Sequence, residues 1–88
     1  MKLKPGFVLR EILEEWMVMP VGEPSTRFPY MISLNETGAG LWKQLQVDTT
    51  EPALVEWLTG EYDVTREVAQ ADVARFLADA RAKGVLDE

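Results

Sequence analysis

The spacing of apolar and polar residues changes once along the chain, near residue 35. Before that point, short apolar runs alternate with turn residues. Phe7-Val8-Leu9-Arg10 follows Pro5-Gly6, and Glu15-Trp16-Met17-Val18-Met19 stops at Pro20. Both runs are rich in branched and aromatic side chains, which suit a pleated, half-buried surface. The short gap between them predicts a hairpin turning around Ile12 to Glu14. Gly22, Pro24, Ser25 and Thr26 mark a polar loop. Tyr30-Met31-Ile32-Ser33-Leu34 is a third predicted strand, and Pro29 before it lacks an N–H, which suits a strand start or an edge.

From Asn35 onward the period is helical. Asn35 is a predicted N-cap, and Leu34, Gly38, Leu41, Trp42 and Leu45 recur on one face of a helix. Asp48-Thr49-Thr50 opens a second helix that tolerates Pro52 in its first turn and turns Leu54, Trp57 and Leu58 inward, with Tyr62 one turn on. Thr65 caps a third, with Ala69, Val73, Phe76, Leu77 and Ala80 as its inner stripe. Gly84 fits the residue after that helix, with Val85 packing back on Ala80. The expectation is a single α+β domain over residues 1–88, three strands and then three helices, without an internal repeat.

The first helix contains two glycines within "LNETGAGLW", each costing about 1 kcal/mol relative to alanine in a helix interior. Gly38 falls on the core stripe, where the missing side chain lets the helix approach the sheet. Gly40 falls on the opposite side and reads as incidental.

Charge narrows the partners. The chain of 88 residues has a net charge of −6, and the excess acid lies beyond residue 30, where eleven acidic side chains face five basic ones. Such a balance is poorly suited to a polyphosphate, whose binding rests on lysine and arginine. The third helix, Arg66 to Lys83, holds four basic residues against three acidic ones, too few for a base-reading helix. A compact three-helix unit still leaves a small winged-helix regulator, binding DNA or another protein, as the runner-up. No apolar run approaches the roughly 18 residues of a membrane span, and no apolar block follows the first charged residues as in a secretory signal. The expected location is the cytoplasm.

Signs of catalysis are scarce. Histidine and cysteine are both absent, which removes the usual proton shuttle, the commonest metal ligand and the best nucleophile. Ser25 lies in the Gly/Pro loop and Ser33 in mid-strand, neither in a nucleophile-elbow sequence. Glu14/Glu15 and Asp87/Glu88 read as solvated pairs. Asp72 and Asp79 share a side of the third helix, without a second element to complete a metal site. No catalytic residue, metal or cofactor is expected.

A binding module remains. The third strand contains no lysine, no acid and no internal proline, so nothing blocks its edge. A peptide could add there as a further strand, gaining affinity from main-chain hydrogen bonds. The same pattern also fits a central strand, or an edge covered by the chain itself or by a second copy in a homodimer.

The segments "KPGFVLREI", "LNETGAGLW" and "EYDVTREVAQADVARFLADARAKGVL", with the spacing between them, resemble the PqqD family, whose founding member is coenzyme PQQ synthesis protein D. The likeness spans essentially the whole chain. Gly40 departs from the pattern, which has a bulky residue there. The resemblance implies a winged-helix-like α+β domain, a three-stranded antiparallel sheet followed by three helices. It implies a RiPP recognition element, which captures the leader of a ribosomally made precursor peptide and presents it to a modifying enzyme, typically a radical SAM maturase, in PQQ biosynthesis or a related pathway. In the family the leader adds along the third strand and lies beside the third helix. Carried over by position, the peptide-binding residues are Met31, Ile32, Ser33 and Leu34 on the strand. On the helix, spacing selects Val68, Asp72, Arg75 and Asp79.

Overall fold

The computed structural model describes residues 1–21 and 31–88. The predicted loop at Gly22 to Thr26, Pro29, and Tyr30 at the start of the predicted third strand lie outside the described residues. The elements are β1 (Lys2–Leu3), β2 (Phe7–Ile12), β3 (Glu15–Pro20), β4 (Ile32–Leu34), α1 (Glu36–Gln44), α2 (Glu51–Glu61), α3 (Arg66–Lys83) and β5 (Leu86–Asp87). A three-stranded antiparallel sheet in the order β2-β3-β4 precedes the three helices, the order expected from the sequence.

The hairpin is tighter than the sequence indicates. Ile12 pairs with Glu15, which leaves Leu13 and Glu14 as a two-residue turn with φ values of 51° and 67°. Positive φ at both positions gives the twist of a type I′ turn, which matches that of the flanking strands. Register then sets the faces. Val18 lies opposite Ile32, and both are buried against the helices, whereas Ser33, opposite Met17, is exposed.

Caps position the helices. The Asn35 Oδ1 accepts the Gly38 N–H at 2.7 Å and the Thr37 hydroxyl at 3.1 Å. Thr50 and Thr65 accept the N–H groups of Ala53 and Val68 at 3.3 and 3.2 Å. At the end of α3, Gly84 adopts φ 73°, and the N–H groups of Val85 and Gly84 donate to the carbonyls of Ala80 and Arg81, each at 3.1 Å. This is the Schellman ending expected there. It turns the chain so that Val85 enters the core, beside Trp42, Leu45, Leu58, Val73 and Leu77.

Two features depart from the sequence reading. First, β1 and β5 pair antiparallel, Leu3 with Leu86 and Lys2 with Asp87, tying together the two ends of the described chain. Strands of two residues carry no alternation that a pattern could reveal. Second, the glycine roles are revised. A side chain at Gly38 would meet the Asn35 Oδ1 at 3.0 Å and touch Leu34 only at ordinary distance, so this glycine mainly makes room for the N-cap. Gly40 is not incidental: a methyl group there would collide with Cη2 of Trp57 and crowd Cζ2 and Cζ3. The α2 indole lies directly against the α1 backbone.

A cleft between β4 and the third helix

Among the described residues, β3 is the only strand that pairs with β4. Along β4, Ser33 and Leu34, continued by Asn35, Thr37, Gly38 and Leu41, face Asp72, Arg75, Phe76 and Asp79 of α3 across a cleft of about 210 Å³. Two neighbouring hollows extend it. One, of about 80 Å³, is lined by Ile32, Trp42, Phe76, Ala80 and Val85, with Asp79 and Lys83 also lining it. The other, of about 550 Å³, opens where β4 ends and is lined by Ser33 to Glu36, together with Glu11, Glu14, Glu15 and Trp16 of the hairpin.

The cleft follows from local structure. The Asn35 cap starts α1 immediately after β4, so the sheet edge cannot continue past Leu34. Burial of Ala69, Val73, Leu77 and Ala80 sets the rotation of α3. With these four inward, Asp72, Phe76 and Asp79 fall on the flank facing β4. Phe76 is half-buried against the core and also lines the cleft.

The structure therefore brings together Ser33, Leu34, Asp72, Arg75 and Asp79 in one cleft, with Ile32 in the adjoining hollow. Met31 stands just before β4 and is 54% exposed, and Val68 is 48% exposed near the start of α3; neither lines these three hollows. Asn35, Thr37, Phe76 and Lys83 line them without having been assigned to the site from sequence. Phe76 carried a readable signal, since it lies one helical turn from both Asp72 and Asp79. Lys83 continues the same flank one turn beyond Asp79.

Two electrostatic details bear on binding. The Arg75 Nη2 donates to the Asp72 Oδ1 at 2.7 Å, so its charge is already partnered. At the hairpin end, the Lys43 Nζ lies 4.4 Å from the centre of the Trp16 ring, a cation–π contact. Beneath the cleft, the Trp42 ring meets Phe7 edge-on at 6.2 Å, and its buried Nε1 finds no hydrogen-bond acceptor among the described residues. Among the described residues no three acidic side chains are grouped so as to hold a metal ion, and no helix is long and apolar enough to cross a membrane.

The family model for coenzyme PQQ synthesis protein D (PqqD) matches residues 15–86. The chain belongs to the PqqD family. The match starts at β3 and includes β4, the three helices and most of the residues that line the cleft. Two solved structures share the fold. One, of TbiB1 in complex with the TbiA(beta) leader peptide, superimposes with a TM-score of 0.76 at 22% identity, covering 99% of this chain and 95% of the other. The second, of lasso peptide synthetase B1 complexed with the leader peptide, gives a TM-score of 0.72 at 21% identity, covering 96% and 93%. No curated protein matches the sequence. The PqqD membership agrees with the resemblance in "LNETGAGLW" and in the third helix.

Proposed function

We propose that this PqqD-family protein is a non-catalytic, cytoplasmic peptide-binding module. It captures the leader of a ribosomally made precursor by strand addition at β4 and presents it to a modifying enzyme, a radical SAM maturase. The observation that carries the reading is the outer edge of β4, free of any strand among the described residues and bordered by the α3 cleft. A peptide seated there gains main-chain hydrogen bonds from β4 and side-chain contacts from α3. The two solved structures of the same fold support the reading, since each is a complex with a leader peptide.

On this reading Ser33 and Leu34 supply the strand contacts with Met31 and Ile32 beside them, and Asp72, Arg75 and Asp79 border the peptide, with Val68 at the far end of the helix. PQQ maturation and maturation of another modified peptide are both compatible with it. A second copy of the chain could occupy the same edge as a homodimer and would compete with the peptide. The test is titration of the isotope-labelled protein with the leader of its precursor. Saturable shifts centred on β4 and the facing side of α3 are expected. Shifts confined to other surfaces, or none at millimolar peptide, would contradict the proposal.

A further inference from the structure

The three hollows flanking β4 are acidic taken together, with most of the charge in the one where β4 ends, and we infer that the peptide captured there is basic, with lysine or arginine side chains near the stretch that pairs with β4; the inference rests on the reading of β4 as the capture edge. Six carboxylates line the three hollows, those of Glu11, Glu14, Glu15, Glu36, Asp72 and Asp79, against two cations, Arg75 and Lys83. Arg75 is held by Asp72. The glutamates and Asp79 make no ion pair among the described residues.

Exposed carboxylates are ordinary in an acidic chain. Their placement sets these apart. Glu11, Glu14, Glu15 and Glu36 lie around the end of β4, and Asp79 lies across the cleft from its middle. Charges of one sign lining a concave surface reinforce one another's field and draw in the opposite charge. The N-terminus of α1, which would by itself favour an anion, already carries Glu36 in its first turn. Strand addition contributes affinity with little regard to sequence, so like-charge repulsion is an available means of rejecting acidic peptides.

The experiment selects binders to the full chain from a displayed library of random peptides at low salt, then maps each binder by the shifts it causes in the Ile32 to Leu34 amides. Peptides that shift these amides should carry net positive charge and bind less tightly as salt is raised. The double variant Glu15→Lys/Asp79→Lys should bind them about tenfold more weakly, and Glu15→Gln/Asp79→Asn should weaken binding in the same direction by a smaller factor. Thermal unfolding of both variants reports that they are folded. Neutral or acidic peptides that shift β4 and bind the variants as well as the parent would overturn the inference while leaving the capture edge intact. If no selected peptide shifts β4, the inference and the proposed function fall together.

Discussion

The indole of Trp57 occupies the space that a side chain at position 40 would need. The bulk at this contact comes from α2, and α1 supplies the gap. Tyr62 meets the same ring edge-on, with centroids 6.1 Å apart. Gly40 is thus retained against its helix cost because α1 and α2 meet through it.

This relationship predicts opposite outcomes for two glycine substitutions. Gly40→Ala gains about 1 kcal/mol of helix propensity but overpacks the contact by about 1–3 kcal/mol, so a net loss is expected. Gly60 lies in α2 with nothing within 4 Å of where an added Cβ would sit, and Gly60→Ala should stabilise by up to about 1 kcal/mol. Urea unfolding of the two variants measures both. A stabilised Gly40→Ala protein would show that Trp57 moves aside at little cost.

Tyr62 should report the same corner at alkaline pH. Burial, with the nearby charges of Glu36 and Glu61, raises its phenol above the ordinary value of about 10. The folded state favours the neutral phenol, so its contribution is complete below about pH 10 and is lost as pH rises through the folded value. Relative to Tyr62→Phe, the parent should therefore lose thermal stability above about pH 10 and track the variant below it. Parallel curves throughout would contradict the shift.

Arg75 tests the helix side of the cleft. Its bond to Asp72 joins exposed side chains three residues apart, so Arg75→Glu should change stability by no more than about 1 kcal/mol. It adds an acid to the cleft and should tighten binding of a lysine-rich leader. Unchanged affinity would remove Arg75 from the site.

Nucleic acid offers a contrast. With a net charge of −6 and a nearly neutral α3, the protein should show no sequence-specific footprint on duplex DNA at physiological salt. A footprint at sub-micromolar protein would favour a winged-helix regulator instead.

Much of this architecture was legible because it rests on local rules. Asn35 and Thr65 announced their helices through capping chemistry, Asp48-Thr49-Thr50 marked the start of the second, and the Gly84-Val85 ending was signalled by its glycine. Asp72 and Asp79 could be placed on a common flank from helical period alone. What stayed hidden was non-local. The pairing of Leu3 with Leu86 joins segments too short to show a pattern. The role of Gly40 depends on a ring seventeen positions away in the chain. The Arg75–Asp72 bond depends on which of several rotamers the side chains select. The acidity around β4 emerges only when the hairpin glutamates and Asp79 are seen to flank one strand.

Hydrogen exchange of the β4 amides reads out whether that strand offers an open edge to a peptide. Successive N–H groups along a strand point to opposite sides. In the free protein, amides of Ile32 to Leu34 directed at β3 should exchange slowly and those directed away from it rapidly. Adding the precursor leader should slow the outward amides by about tenfold or more, in proportion to peptide occupancy. If the outward amides are already protected without peptide, or still exchange rapidly once peptide is bound, capture by strand addition at β4 is contradicted.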